Sequence, residues 1–408
     1  MTRHVVIVGA GHAGVSLCTA LRALNFSGAI TLLSDEADLP YHRPPLSKAF
    51  LSQAGADDES KLLLEPHGFY DEKRIDLRLN ARAVTLDTAA HTLTMKDGSV
   101  IRYDDLVLAT GARARTLDLP GSTLDGIVVL RTVEQARSLR QRLVDSESVV
   151  IVGAGFIGLE IAATARKLGK RVTVLETASR IMERSVSPQV SDYVTQRHRD
   201  QGISLELNTR VKAFIGTNSR VTGVQTDTDE WSADLVIVGA GAIPNSELAE
   251  AAGIDCANGI LVDSQMRTSV PGVFAIGDCA AYENRYASGA RLRLESIQNA
   301  NDHARLVARL ITGEDATYDA VPWFWSDQGD VRLQMTGLSI ERTHCVIRGE
   351  PEHGRFSVFH YRHNTLIAVD SINQPLEHIL SRKLLAQGIS PDQTHIADTS
   401  IALKSYLQ

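Results

Sequence analysis

The stretch Ser148–Glu176 reads SVVIVGAGFIGLEIAATARKLGKRVTVLE. Its apolar run Val149–Val152 has the length and β-branching of a buried strand, and it breaks into Gly153-Ala154-Gly155-Phe156-Ile157-Gly158. Apolar residues then recur at helical spacing from Phe156, and Gly169 supplies the usual C-terminal stop. Arg171–Leu175 is a second strand, with Glu176 at its end, 18 residues beyond Gly158. A glycine pattern in this strand–turn–helix–strand context is a dinucleotide fingerprint. The glycines permit a tight turn and a close approach of backbone to a pyrophosphate. The helix N-terminus offers free N–H groups and a positive dipole end, and the acid accepts hydrogen bonds from a ribose diol.

The N-terminus carries a first copy of the same unit. Val5–Val8 enters Gly9-Ala10-Gly11-His12-Ala13-Gly14, a helix runs to about Asn25, and the strand Ala29–Leu33 leads to Asp35 and Glu36. Each copy closes on a further strand and a glycine cluster. Asp104–Ala109 runs into Thr110-Gly111-Ala112, and Ala233–Val238 into Gly239-Ala240-Gly241. Two long copies predict two similar nucleotide-binding domains rather than a short-period solenoid. Between them, Gly111–Gly126 reads as a crossover, and Val133–Val144 as a helix leading to the second fingerprint.

Other segments add detail. Leu39–Lys48, LPYHRPPLSK, is a proline-stiffened loop with Arg43 and Lys48. It is either a solvated surface loop or a presenter of cations to phosphates or a flavin ring. Ala81–Leu86 and His91–Met95 read as strands of a meander, Gly272–Asp278 as a strand ending in Gly277-Asp278, and Ile297–Leu310 and Val190–Gln201 as helices. Past VPWFWSDQ at 321–328, strands are expected at Val331–Leu338, His344–Arg348, Phe356–Tyr361 and Thr365–Ile372, then a helix Leu376–Gln387. The fold class is α/β: two Rossmann-like dinucleotide-binding domains plus a C-terminal α+β domain without a nucleotide motif.

Composition narrows the function. The 408 residues carry a net charge of −7, 43% apolar and 22% charged residues, as in an ordinary soluble multidomain protein without a basic nucleic-acid footprint. The four cysteines form no CxxC, so a reduced cytoplasmic protein with isolated thiols is expected. The 13 histidines form no HxH or HxxxH, so metal ligation has little support. Met1–Leu24 pairs Arg3 with an apolar run, but fingerprint glycines inside that run make it the first strand and helix rather than a signal peptide. No apolar stretch reaches the length of a membrane span.

Taken together, residues 9–14, Arg43-Pro44-Pro45-Leu46-Ser47-Lys48, Ala109-Thr110-Gly111, 153–176, Gly277-Asp278, Glu295–Ala300 and Pro322–Gln328 resemble the flavoprotein reductases of glutathione-reductase fold. Within them, the chain is similar to the NADH-dependent ferredoxin reductases that serve bacterial oxygenases, such as putidaredoxin and rubredoxin reductases. The resemblance implies FAD in the first fingerprint, at Gly9, Gly11, Ala13, Gly14 and Asp35, with Arg43, Lys48, Val84, Thr110, Arg131, Gly277, Asp278, Ile297 and Trp325. It implies NAD(H) in the second, at Gly153, Gly155, Ile157, Gly158, Glu160, Glu176, Arg184 and Gly239. The FAD domain would then comprise 1–113 and 243–320, the NAD domain 114–242, and the C-terminal domain 321–408. Lys48 and Glu160, the latter placed on the first turn of its helix, are expected to pair near the flavin N5. Ile297 stands where some dioxygenase reductases have tryptophan, which resembles the putidaredoxin branch.

The implied activity is transfer of electrons from NADH through FAD to a separate [2Fe–2S] ferredoxin, because the chain has no iron–sulfur cysteine set. That ferredoxin would supply an aromatic ring-hydroxylating dioxygenase or a cytochrome P450, with the reductase a monomer or homodimer. Glu176 favours NADH, since a carboxylate repels a 2′-phosphate, whereas Arg180 nearby could accommodate one. Two rivals share the architecture. A disulfide or peroxide reductase would need a redox thiol, yet the loop carries Ser47 and no cysteine. A non-enzymatic flavoprotein NADH sensor would be told apart by slow turnover.

Overall fold

Each fingerprint strand lies at the centre of its own parallel sheet in the computed structural model, which describes residues 3–52 and 59–407. The chain divides into two units. One comprises Met1–His42, Asp57–Arg113 and Ile243–Ala320, the other Arg43–Ala56, Ala114–Ala242 and Val321–Gln408.

In the first unit the strand order is Val273–Ala275, Asp105–Leu108, His4–Val8, Ala29–Leu33 and Asp76–Arg78, all parallel. A parallel sheet is covered on both faces, so its central strands are largely apolar, and Val5, Val6 and Ile7 are fully buried. The fingerprint helix His12–Ala23 packs on the helix Ile297–Ile311. A meander of Ala83–Asp87, Thr92–Met95 and Val100–Arg102 forms a separate antiparallel sheet. The strand expected over 272–278 is shorter, because Gly277 turns to φ +73° and Gly277–Cys279 forms a 3₁₀ turn. Asp278 therefore sits in that turn rather than at the strand's end. The three-residue edge strand Asp76–Arg78 is too short and polar to be read from sequence.

The second unit repeats the arrangement with Ser204–Glu206, Arg171–Leu175, Ser148–Val152, Leu235–Val238 and Ile127–Val128. In both sheets the fingerprint strand lies between the strand that follows its helix and the closing strand. The fingerprint helix here is Phe156–Lys167, and Ser187 caps a further helix, Pro188–Asp200. The C-terminal residues form an antiparallel sheet ordered Trp323–Gln328, Val331–Gly337, Thr365–Ile372, Arg355–Arg362, His344–Glu350, with the helix Pro375–Ala386 packed on it. Its edge strand Trp323–Gln328 is one that the sequence reading quoted without assigning. Among the described residues, no helix is long and apolar enough to cross a membrane.

Candidate active site

The two glycine turns are built alike at the atomic level. A Cβ on Gly9 would lie 2.2 Å from Ala109 O, and one on Gly153 would lie 2.5 Å from Gly239 O. Both residues have positive φ, +114° and +109°, so only glycine lets the turn pass the closing strand. A Cβ on Gly14 would meet Gly9 O at 2.0 Å, and one on Gly158 would meet Gly153 O at 2.1 Å, so the third glycine of each lets helix and turn touch. The middle glycines differ: a Cβ on Gly11 or Gly155 would have nothing within 4 Å. These two residues are also the helix N-caps, and neither helix has a side-chain cap, in contrast to the helices capped by Thr132, Ser187 and Ser296. Each helix start thus has no side-chain cap and has open space beside its N-cap glycine, which fits a pyrophosphate.

Around the first turn, Ala13 lies on the first helical turn, and a Cβ on Gly277 would come 3.1 Å from the Ala13 Cβ. Asp35 is exposed, whereas Glu36 accepts a hydrogen bond from Tyr41 Oη at 2.5 Å. Thr110 Oγ1 donates to Asn245 O (2.6 Å), and the Asn245 amide donates back to Thr110 O (2.8 Å). Val84 is 46% exposed at a β-bulge between Ala83 and Thr85, an apolar side chain turned to solvent. Ile297 opens its helix behind the Ser296 cap. Arg293 donates to Asp278 O (2.9 Å).

Around the second turn, Glu176 binds backbone. Its Oε2 accepts from Ala154 N–H (2.7 Å), inside the glycine turn, and its Oε1 accepts from Ala178 N–H (2.8 Å). Arg180, the cation that bore on phosphate recognition, donates to Val186 O (3.0 Å) and Glu183 O (2.6 Å), which ties it to its own loop. Arg184 is exposed, and Ile157 is 46% exposed on the first turn of the helix.

Lys48 and Glu160, both in the second unit, form an ion pair at 2.7 Å. Glu160 is the fifth residue of its helix, just past the first turn on which it is expected, and only 3% of its side chain is exposed. Burying a carboxylate requires partners, and this one has three. Ser47 Oγ donates to Oε2 (2.6 Å) beside the Lys48 ammonium, and Ser326 Oγ donates to Oε1 (2.7 Å). Lys48 keeps 22% of its side chain exposed, so the pair has one open side. The loop is held twice more, by Thr164 Oγ1 donating to Ser47 O (2.9 Å) and by Arg43 donating to Arg131 O (2.8 Å). Arg131 in turn precedes the Thr132–Gln135 capping box. Trp325 lies on the strand that carries Ser326. Sequence reasoning gave Ser47 and Ser326 no role. The available signal was the alternation of Ser326 and Gln328 along an aromatic strand, both buried.

The thiols offer no redox pair. All four cysteines are free. Burial pushes Cys18 up to about 12 and Cys256 up to about 11, and it raises Cys279 as well, which disfavours the reactive thiolate. Among the described residues, no group of three or more His, Cys, Asp or Glu side chains could hold a metal ion.

Comparison with known proteins gives this geometry its context. The family described as pyridine nucleotide-disulphide oxidoreductase matches residues 3–304, and the reductase C-terminal family matches residues 323–407. The chain belongs to the pyridine nucleotide-disulphide oxidoreductases. It is an NAD(P)H-dependent oxidoreductase of their ferredoxin reductase branch. Rhodocoxin reductase of Rhodococcus erythropolis is 43% identical over 98% of this chain and 93% of its own length. The 5,5′-dehydrodivanillate O-demethylase ferredoxin reductase subunit of a Sphingobium strain is 41% identical, over 98% and 97%. The crystal structure of the ferredoxin reductase for the CYP199A2 system of Rhodopseudomonas palustris superposes with a TM-score of 0.96, at 45% identity, covering 98% of this chain and 99% of that one. Although the family is described by disulphide chemistry, this oxidoreductase carries Ser47 in the loop and no CxxC.

Proposed function

We propose that this oxidoreductase takes electrons from NADH and delivers them singly to a separate [2Fe–2S] ferredoxin that supplies a bacterial oxygenase. The observation that carries the reading is the pair of matching, uncapped glycine turns, one on each parallel sheet. We assign the first to FAD, with Gly9, Gly11, Ala13, Gly14, Asp35, Val84, Thr110, Gly277, Asp278 and Ile297 as its contacts. Arg43, Lys48, Arg131 and Trp325 complete that set. The second turn we assign to NADH, with Gly153, Gly155, Ile157, Gly158, Glu160, Glu176, Arg184 and Gly239. The domains follow as 1–113 with 243–320 for FAD, 114–242 for NADH, and 321–408 at the C-terminus.

FAD, when bound, supplies the conversion of a two-electron hydride donor into one-electron steps. The chain's own residues bind and orient. Lys48 supplies a fixed cation, and Glu160, itself held by Ser47, keeps its ammonium in one place. Glu176 is assigned the choice of NADH, because a carboxylate held at the glycine turn would repel a 2′-phosphate, and Arg180 donates to backbone carbonyls of its own loop.

An aromatic ring-hydroxylating dioxygenase is the first candidate for the terminal oxygenase, and aromatic hydrocarbon catabolism the setting. A cytochrome P450 is the second, favoured by the aliphatic Ile297 and by the similarity to the reductase of the CYP199A2 system. The test is to purify the protein, record its flavin spectrum, and measure NADH-dependent reduction of ferredoxins from dioxygenase and P450 systems side by side. Bound FAD and rapid turnover with one class support the reading. A protein without flavin, or one that forms only a slow, long-lived complex with NADH, contradicts it.

A further inference from the structure

The hydrogen bonds of Glu160 continue past Ser326. Ser326 Oγ has one proton, and it donates that proton to Glu160 Oε1 at 2.7 Å, since a carboxylate only accepts. Ser326 Oγ therefore accepts from Gln328 Nε2, 3.1 Å away. The other amide hydrogen of Gln328 points to Met182 Sδ at 3.6 Å. This orientation turns the Gln328 carbonyl toward His198 Nε2, at 3.0 Å, and the imidazole must carry its proton there. His198 Nδ1 is buried with no partner. A second proton at Nδ1 would be a buried charge without an acceptor, and burial lowers the proton affinity of this ring accordingly. Glu160, Ser326, Gln328 and His198 are all at most 3% exposed. The chain of donors thus has one polarity, every proton pointing toward Glu160. It joins the C-terminal edge strand Trp323–Gln328 and the helix Pro188–Asp200 to the fingerprint helix.

We propose that Ser326, oriented by Gln328 and His198, is a positioning residue that holds the Glu160 carboxylate in its pairing with Lys48. The C-terminal sheet then forms part of the hydride-transfer machinery. This rests on the proposed function for the step that is affected, and on the structure for the hold itself.

Two measurements on the FAD-loaded enzyme test it. In rapid-mixing reduction by NADH, Ser326→Ala lowers the limiting rate constant about tenfold, the size expected for one hydrogen bond to a charged group, with the apparent Kd for NADH within about twofold. Gln328→Met, which keeps the shape and removes the donor, has a smaller effect in the same direction. In a Lys48→Met background, Ser326→Ala changes the rate by less than about twofold, because the aim of Glu160 no longer matters. In thermal unfolding, the Ser326→Ala and Glu160→Gln midpoint losses are not additive. Equal rate factors in both backgrounds, or additive midpoint losses, overturn the proposal. Non-additive midpoints with Lys48→Met reduced as fast as the parent enzyme would leave the hold on Glu160 standing and reject the role assigned to Lys48.

Discussion

Glu160 is a charge placed where water cannot reach it, and Lys48 is the only one of its three partners that carries the opposite charge. Replacing Lys48 by Met leaves the carboxylate with two hydroxyl donors. The expected outcome is a loss of about 1–3 kcal/mol in unfolding free energy, discounted because the lysine is partly solvated. Flavin reduction by NADH should also fall at least tenfold, as rapid-mixing absorbance will show. Glu176 makes a second test. Glu176→Ala removes the repulsion toward a 2′-phosphate but also the tie to Ala154 N–H, so kcat/KM for NADH falls while that for NADPH holds or rises. The ratio of the two should move by about tenfold or more in steady-state assays. Glu176 was legible in the sequence from its offset to the glycine turn and Lys48 as a cation of the proline loop, whereas the pairing of Lys48 with Glu160 came from the family resemblance. Ser47 and Ser326 were not legible, because a serine's partner depends on strand register and on contacts more than a hundred residues apart in sequence. Arg180 differs: spacing places it near the acid, and local contacts that spacing does not reveal bring its guanidinium to Val186 O and Glu183 O.

The glycine turns separate folding from binding. Gly9→Ala forces a Cβ to within 2.2 Å of Ala109 O at a positive φ, so the first sheet is strained and the unfolding midpoint drops by several degrees. Gly11→Ala puts its methyl into open space. Its midpoint without cofactor should be unchanged, while FAD content at purification falls. The same contrast is expected between Gly153→Ala and Gly155→Ala, read out by the KM for NADH. Strands such as His4–Val8 and Ser148–Val152 were readable because β-branched runs of that length fit only the covered interior of a parallel sheet. The edge strand Trp323–Gln328 was not assigned, since the alternation of Ser326 and Gln328 covers only its last three residues and the aromatics before it are all half-buried.

At the scale of the whole molecule, buried histidines, His303 and His378 foremost, make stability depend on pH. Burial pushes His303 down to about 3, with its Nδ1 accepting from Gly277 N–H at 3.3 Å. Burial, then the charges of Arg382 and Arg332, push His378 down to about 4. Their folded values lie below the unfolded value near 6.5, so the unfolded chain binds more protons as pH falls from 6.5 toward 4. Stability is full above pH 6.5 and declines below it. His378→Phe should flatten part of that decline in thermal melts between pH 7 and pH 4.5, because neither of its ring nitrogens has a partner to lose. The division into two fingerprinted sheets and a C-terminal antiparallel sheet was readable from the repeat and from the change of pattern after residue 320. That Arg43–Ala56 groups with the second unit was not, since the sequence joins it to the first. In the proposed function this chain turns a hydride donor into a one-electron source. Anaerobic mixing of the FAD-loaded protein with limiting NADH and excess oxidised [2Fe–2S] ferredoxin tests it, with both chromophores followed by absorbance. The account predicts two ferredoxins reduced per NADH consumed. Reduced flavin that passes no electrons to any ferredoxin would contradict it.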